Sequence, residues 1–270
     1  MGKRKNWKKV QFIVPDLALE VTRRCNMACE HCLRGEAQNC DIDFKVINKA
    51  TKFITPLSVV FTGGEPSLNT MAIDYYFKRC EVNDNVPESF YVVTNGLDKN
   101  NMKRLTFSLL NAYSCIIKHD GYFDEDNLCG VAVSQDKFHD KYRGIGHSHD
   151  WDILQGLSFY RPEDKFHEKS SSNNWLINTG RAEKNHIGTG CKYFANLDLN
   201  EYIDDMVIEG DVLYVYLNDI MYISAKGLVT NCCDLSYADI DSQNFGNLDE
   251  FVKKCEEYYF NGYGAKIFGR

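Results

Sequence analysis

Short apolar segments alternate with amphipathic ones along the first half of the chain. Four apolar runs predict buried strands, at residues 17–21, 57–61, 89–93 and 129–133. Three amphipathic intervals predict helices between them, at residues 43–54, 71–80 and 101–115. Strands that alternate with helices predict a parallel sheet with helices on its faces, so the predicted fold class is α/β.

The second half of the chain follows a different pattern. We predict a helix at 151–160 and a strand at 175–178, which leaves too little chain for two complete strand–helix units. The expected architecture is a partial (β/α)6 TIM-type barrel with five or six parallel strands. Later segments predict antiparallel strands at 211–217 and 221–224, a hairpin turn at 225–227 and a closing helix at 248–259. The predicted organisation is a basic N-terminal arm (1–14), a barrel core (15–183) and a small α+β C-terminal extension (184–270).

Composition narrows the class of protein. A length of 270 residues with 44% hydrophobic residues is enough for one substantial domain and a small extension. No run of about 18 apolar residues is present, and the N-terminus lacks the apolar stretch of a signal peptide. We therefore expect a cytoplasmic protein without a membrane partner. The net charge of −7 argues against nucleic-acid binding. The basic residues at positions 3–9 are either a solvated arm or a contact surface for an acidic peptide or a phosphate.

Three thiols lie close together after the first predicted strand, at Cys25, Cys29 and Cys32. The cytosol keeps thiols reduced, so the eleven cysteines of the chain are better candidates for metal ligands or buried thiols than for disulfides. Structural zinc and iron–sulfur sites normally have four protein ligands, and a triad leaves one position open. The alternatives are a zinc knuckle completed by His31 and three unrelated thiols.

Four more short motifs follow predicted strands or turns, and in barrel-like α/β folds such positions meet at one end of the sheet. The motifs are Gly63-Gly64-Glu65-Pro66, Thr94-Asn95-Gly96, Ser134-Gln135-Asp136 and Gly180-Arg181-Ala182. Together with the CxxxCxxC triad, they resemble the radical S-adenosylmethionine superfamily in order and approximate spacing. The resemblance covers about residues 15–183.

This resemblance implies a [4Fe-4S] cluster on Cys25, Cys29 and Cys32. S-adenosylmethionine would bind the open iron through its amino and carboxylate groups. Reductive cleavage would then give a 5′-deoxyadenosyl radical that abstracts a hydrogen atom from the substrate. An electron donor such as flavodoxin or ferredoxin is implied as a partner.

The resemblance also implies cofactor contacts at the ends of the strands. The glycine-rich motif would admit the cofactor's amino group, with Glu65 near that ammonium; the residues concerned are Gly63, Gly64, Glu65 and Pro66. Ser134 and Asp136 would bind the carboxylate and the ribose. Asn95 is either a cofactor ligand or an ordinary turn residue. Arg143 ends a His-Asp-x-x-Arg run similar to that of peptide-modifying maturases, and it would pair with the cofactor carboxylate or form a surface salt bridge.

The C-terminal extension carries a second set of cysteines. The sequence around Cys232 and Cys233 is similar to the opening of SPASM or twitch extensions, which bind auxiliary iron–sulfur clusters. The predicted auxiliary ligands are Cys191, Cys232, Cys233 and Cys255. The later CxxCxxC of a complete SPASM domain is absent, so at most one auxiliary cluster is expected. The alternative is a degenerate extension with buried thiols.

The expected function is radical modification of a peptide or protein, since both the His-Asp-x-x-Arg run and the SPASM-like tail resemble peptide maturases. A second class is modification of a nucleotide, a sugar or another small metabolite. An activase of glycyl-radical enzymes is a third. The non-enzymatic alternative is a zinc or iron–sulfur binding module.

Overall fold

The computed structural model describes residues 7–120, 128–147, 149–161 and 176–263, and its centre is one mixed β-sheet. The eight strands of this sheet are β1 (Lys9–Thr22), β2 (Ile54–Gly63), β3 (Ser89–Thr94), β4 (Gly130–Val133), β5 (Ile203–Glu209), β6 (Val212–Leu217), β7 (Met221–Ile223) and β8 (Val229–Thr230). Their order is β4-β3-β2-β1-β6-β5, with β7 also beside β1 and β8 beside β7.

Helices follow most of the strands. In the described residues they are α1 (Phe44–Phe53), α2 (Thr70–Asn83), α3 (Lys99–Asp120), α4 (Lys137–Arg143), α5 (Gly180–Lys184), α6 (Leu199–Tyr202), α7 (Tyr237–Ser242) and α8 (Leu248–Tyr258). Short 3₁₀ turns lie at Pro66–Asn69, Ile145–His147 and Asp152–Gly156, and a π-helical turn follows α8 at Tyr259–Tyr263. None of the described helices is long and apolar enough to cross a membrane.

Parallel pairing dominates the sheet, which confirms the predicted α/β class. Strands β1 to β4 are mutually parallel, and both β6 and β7 are parallel to β1. The described residues therefore contain six parallel strands, in agreement with the predicted five or six. Two of the six come from the C-terminal part of the chain. This arrangement is compatible with a partial TIM-type barrel.

The C-terminal strands pair differently from the prediction. The segments at 211–217 and 221–224 were expected to be antiparallel strands, but β6 and β7 both run parallel to β1 and lie in succession along the same side of it. The antiparallel partners are instead β5 for β6 and β8 for β7. The turn at 225–227 does connect a hairpin, as predicted, and the Gly227 amide donates to the Ser224 carbonyl at 2.8 Å. The closing helix is confirmed as α8.

The sheet includes residues from the predicted arm, the predicted core and the predicted extension. Strand β1 begins at Lys9, inside the predicted arm, and buries Val10, Phe12 and Val14. Since β6 and β7 pair with β1, the core and the extension share one sheet. The boundaries at residues 14 and 183 stay predictions.

Two predicted elements between β4 and α5 are wrong. The helix expected at 151–160 is a 3₁₀ turn, after which Tyr160 forms a parallel bridge with Val131 of β4. The Val131 amide donates to the Phe159 carbonyl at 3.0 Å, so backbone pairing with β4 takes the place of helix formation. The strand expected at 175–178 is irregular at 176–178, and Trp175 lies outside the described residues.

The core lies between the sheet and the helices. Aromatic rings fill much of it on the α8 side, where Phe12 of β1 stacks on Phe251 with ring centroids 5.0 Å apart. Helix α1 begins at a cap in which Asp43 accepts from the Lys45 amide at 2.8 Å. Helix α8 begins with a capping box between Asn247 and Glu250. These local signals fix where the helices start, and the sheet then presents the ends of β1 to β4 on one side.

Candidate functional site

The cysteine loop begins where β1 ends, and one cavity of about 280 Å³ lies beneath it. Eight of the predicted site residues line this cavity: Cys25, Cys29, Cys32, Gly63, Gly64, Glu65, Asn95 and Ser134. Pro66, Asp136 and Arg143 are outside the set of lining residues. The ends of β1 to β4 therefore converge on the triad, as expected for a parallel sheet.

Of the triad cysteines, Cys29 is buried, and Cys25 and Cys32 are half-buried. Burial raises the pKa of the Cys25 thiol to about 11 and that of Cys29 to about 12. The Cys25 sulfur accepts from the Met27 amide at 3.4 Å and from Asn95 Nδ2 at 3.9 Å. Such donors stabilise negative charge on sulfur, and a bound metal would displace the thiol proton.

A second set of possible metal ligands lies beside the triad. Among the described residues, the set of three metal-ligating side chains with all ligand atoms within 4.8 Å of one another is His31, Asp136 and His139. His31 and His139 line the cavity together with the three thiols. The zinc knuckle and the iron–sulfur cluster both stay predictions.

The glycines after β2 are required by the protein itself. Gly63 has a φ of +146°, and a Cβ there would lie 2.0 Å from the Thr22 carbonyl oxygen. At Gly64 a Cβ would lie 2.3 Å from the Arg24 carbonyl oxygen. The expected reason was access for the cofactor's amino group, but these contacts give another one. The glycines let the loop after β2 lie directly against the cysteine loop, and the Gly64 amide donates to the Thr22 carbonyl at 2.8 Å.

Glu65 connects two of the predicted motifs. Its carboxylate is buried and accepts from Thr94 Oγ1 at 2.6 Å, from the Asn95 amide at 2.7 Å and from the Ser67 amide at 3.0 Å. A carboxylate has about four acceptor positions, so capacity for one more donor remains. Glu65 therefore holds the ends of β2 and β3 together and also lines the cavity.

Asn95 is a turn residue that also contacts the cysteine loop, and its role as a cofactor ligand stays a prediction. Its Oδ1 accepts from the Leu97 amide at 2.9 Å, which is the local bond of a turn residue. Its Nδ2 donates to Asn26 Oδ1 at 2.8 Å and approaches the Cys25 sulfur. The side chain thus connects the end of β3 to the cysteine loop.

Ser134 and Asp136 separate after β4. Ser134 lines the cavity, whereas Asp136 caps α4 and accepts from the Phe138 amide at 2.8 Å. Burial acts to raise the pKa of Asp136, but His139, 2.6 Å away, and His31 outweigh it and hold the pKa well below its usual range. The ring of His31 also stacks on Phe138.

Arg143 is buried, and its guanidinium forms hydrogen bonds with other groups of the protein. Its Nε and Nη2 donate to the Asn95 carbonyl at 2.9 and 2.7 Å, and Nη2 also donates to the Ser134 carbonyl. Nη1 pairs with Asp140 at 3.0 Å, and the guanidinium lies 4.6 Å from the Trp151 ring. The predicted surface salt bridge is therefore present in part, while the main contact joins the ends of β3 and β4. Pairing with a cofactor carboxylate stays a prediction.

The Gly-Arg-Ala motif supports the cysteine loop. Gly180 has a φ of +61°, and a Cβ there would lie 2.2 Å from the Leu33 carbonyl oxygen. The Arg181 amide donates to the Cys32 carbonyl at 2.9 Å, and its guanidinium pairs with Glu36 at 2.6 Å. Helix α5 therefore packs against the backbone that carries the third thiol.

The cysteines of the extension lie in three different surroundings. Cys255 is fully buried in the main core with residues such as Phe251. Cys232 and Cys233 pack against a second, smaller cluster of buried residues, as does Ala195. The members of this cluster are Ala18, Tyr222, Leu235, Tyr237 and Ile240. Cys191 is exposed. Cys255 therefore packs in a different cluster from Cys232 and Cys233.

Sequence reasoning missed the residues that the extension contributes to the cavity. Tyr237 of α7 lines it, together with Arg34 of the cysteine loop. The Tyr237 amide donates to the Arg34 carbonyl at 3.1 Å, and Arg34 Nη1 donates to the Leu235 carbonyl at 2.8 Å. These contacts span about 200 positions, so the local sequence does not reveal them. Near Tyr237 it signals only a helix cap at Ser236.

Comparison with known proteins finds limited sequence similarity. No family model matches the chain. A 73-residue stretch is 40% identical to an uncharacterized protein of Methanocaldococcus jannaschii. The match spans 26% of this chain and 25% of that protein.

Solved structures give low-scoring likenesses over most of the chain. BtrN with AdoMet and 2-DOIA is 15% identical over 98% of this chain and 91% of that one, with a TM-score of 0.39. Native anSMEcpe with bound AdoMet and Cp18Cys peptide is 12% identical over 93% of this chain and 82% of that one, with a TM-score of 0.37. SuiB of Streptococcus suis with its precursor peptide SuiA is 15% identical over 92% and 65%, with a TM-score of 0.39.

Proposed function

We propose that this chain is a radical S-adenosylmethionine enzyme. The observation that carries the proposal is the single cavity lined by the three thiols and by motif residues from the ends of β2, β3 and β4. Three thiols in one loop leave one ligand position of a [4Fe-4S] cluster open for the cofactor, which supports a cluster at the triad. These residues fit the cofactors that the sequence motifs imply.

Cys25, Cys29 and Cys32 would hold the [4Fe-4S] cluster, and Gly63, Gly64, Glu65, Asn95 and Ser134 line the cavity where S-adenosylmethionine would bind. When bound, these groups supply the chemistry of reductive cleavage to a 5′-deoxyadenosyl radical that abstracts hydrogen. An electron donor of the flavodoxin or ferredoxin type would be needed.

The protein's own contribution is positioning and exclusion of solvent. The Met27 amide and Asn95 Nδ2 stabilise negative charge on the Cys25 sulfur. Glu65, Arg143 and the Gly180 turn fix the loops around the cavity through the contacts described above. Enclosure by these loops would limit the access of water to a reactive carbon radical.

The proposed substrate is a peptide or protein side chain or α-carbon. Its support is the similarity of the His-Asp-x-x-Arg run and of the C-terminal segment to those of peptide maturases. The second candidate is a small polar metabolite. It is favoured by the polar side chains around the cavity, which include Thr62, His139, Arg181 and Tyr237.

Anaerobic reconstitution tests the general proposal. Purified protein with iron, sulfide, dithionite and S-adenosylmethionine should yield 5′-deoxyadenosine and bind four irons at the triad. Cys40→Ala is the matched control, because Cys40 is half-buried and lies outside the cavity. Zinc in place of iron, with no cleavage product, would refute the proposal.

Isotope transfer tests the substrate class. Cell extract from deuterated medium is separated by size into peptide and metabolite fractions, and each fraction is incubated with the reconstituted enzyme. Deuterium in 5′-deoxyadenosine after incubation with the peptide fraction supports a peptide substrate. Deuterium from the metabolite fraction alone supports the second candidate.

A further inference from the structure

Tyr237 is a buried hydroxyl that the protein leaves without an acceptor. The residue is 2% exposed and lines the cavity of the cysteine triad. Its Oη has no hydrogen-bond partner among the described residues. A buried polar group without a partner costs free energy, and native proteins rarely retain one without a reason. The reason should be found in what fills the cavity.

The position of Tyr237 is fixed from both ends. Its backbone amide donates to the Arg34 carbonyl at 3.1 Å, two positions after Cys32 in the sequence. Ser236 caps the helix by accepting from the Asp239 amide at 3.1 Å. The Arg23 guanidinium lies 4.5 Å from the centre of the Tyr237 ring. The hydroxyl therefore cannot move far to find an acceptor inside the protein.

The surroundings of Tyr237 make it a hydrogen-bond donor. Burial raises the pKa of its hydroxyl above the usual value, so the proton stays on the oxygen at neutral pH. Arg23 over the ring face and the nearby Arg34 draw electron density from the phenol. Both cations strengthen the O–H group as a donor to a negatively charged acceptor.

Tyr222 provides the contrast within the same cluster. It is also buried beside Tyr237, but its hydroxyl donates to Glu20 Oε2 at 2.7 Å. Tyr222 is not among the residues that line the cavity. The fold thus gives an acceptor to the tyrosine away from the cavity and none to the tyrosine at the cavity.

We propose that the Tyr237 hydroxyl donates a hydrogen bond to the group held by the cysteine triad, at a sulfur of the cluster or at an oxygen of the S-adenosylmethionine bound to it. The proposal rests on the proposed function. It makes the C-terminal segment part of the site that generates the radical. A donor to cluster sulfur raises the reduction potential, because it stabilises the additional electron. A donor to the cofactor raises its affinity.

Tyr237→Phe tests this proposal, with Tyr222→Phe as the matched control. Both variants remove one buried hydroxyl and keep the ring. Each protein is reconstituted anaerobically, its iron is counted, and the midpoint potential is measured by a redox titration followed by electron paramagnetic resonance. The dissociation constant for S-adenosylmethionine is measured by calorimetry on the oxidised cluster.

A lower midpoint potential in Tyr237→Phe without S-adenosylmethionine identifies a cluster sulfur as the acceptor. An unchanged potential with a dissociation constant raised about fivefold to tenfold identifies the cofactor. Tyr222→Phe should change neither quantity. Wild-type values for both quantities in a fully loaded Tyr237→Phe protein would overturn the inference and leave the proposed function intact. A wild-type protein that holds no cluster would overturn the proposed function, and this inference with it.

Discussion

The two sets of cysteines in this protein differ in how they are arranged. Cys25, Cys29 and Cys32 come from one short loop and line one cavity. The four cysteines of the extension are distributed between an exposed loop, a small cluster and the main core. Spacing within one loop brings thiols together regardless of the rest of the fold. The surroundings of cysteines far apart in sequence depend on packing, and here packing places Cys255 in the main core.

The largest expected effect tests this difference directly. Replacing Cys25, Cys29 and Cys32 together by alanine should abolish S-adenosylmethionine cleavage and remove the iron of the triad, because no ligand would remain. Cys255→Ala should retain all the iron of the wild-type protein, because its thiol lies in the apolar core. Iron analysis and 5′-deoxyadenosine yield provide the measurement.

Iron that remains in the triple variant would show that the extension binds a cluster of its own. Removing Cys191, Cys232 and Cys233 from that variant would then identify the ligands. Loss of iron from Cys255→Ala alone would contradict the separation of the two sets.

The next largest effect concerns the buried charges that join the two regions. Arg23 pairs with Glu20 at 2.6 Å and with Asp241 of α7 at 2.9 Å, and both Arg23 and Glu20 are fully buried. Arg23→Met should lower the free energy of unfolding by about 3–5 kcal/mol, since it leaves a buried carboxylate without its cation. Urea unfolding measures the change. Lys49→Met removes an exposed pair with Asp249 and should cost at most about 1 kcal/mol. Equal effects would show that the Arg23 pairs are not important for stability.

Replacing a glycine by alanine should also cost different amounts of stability in the two regions. Gly63→Ala places a Cβ 2.0 Å from a backbone carbonyl oxygen, which only a backbone shift can relieve. Gly227→Ala in the C-terminal hairpin meets the Val46 side chain at 3.0 Å, which can rotate. Gly63 has a φ of +146° and Gly227 a φ of +78°, so a side chain would be strained at both sites. We expect Gly63→Ala to be the more destabilising by about 1–3 kcal/mol in urea unfolding. A larger loss at Gly227 would contradict this ranking.

The smallest expected effect is a pH dependence at the junction of the two regions. Burial acts to raise the pKa of Asp241, but hydrogen bonds from Arg23 and Lys226 outweigh it and lower the pKa from its ordinary 3.8. A lowered pKa in the folded state adds stability above pH 3.8, which is lost as the pH falls through the folded value. Asp241→Asn should therefore lose less stability than the wild type on acidification in urea unfolding. In an Arg23→Met background the same substitution should change the pH dependence less.

Local patterns predicted most of the first half of the fold. The strands β1 to β4 and the helices α1 to α3 were predicted because apolar periodicity is set over a few residues. The segment around Tyr160 was predicted as helix and instead pairs with Val131 of β4. Its backbone pairs with the edge of β4, and no local pattern in the sequence reveals this pairing. The C-terminal strands were located correctly, but their pairing with β1 was missed.

The candidate site likewise combines features that the sequence predicted with features that only packing sets. The sequence by itself determined the triad and the motifs after the strands, because parallel strands bring their carboxyl ends to one side. Only the tertiary structure decided that Arg143 binds the carbonyls of Asn95 and Ser134, that Gly63 lies against Thr22, and that Tyr237 reaches the triad. These contacts join residues far apart in the chain, and their partners are set by the packing of the whole sheet.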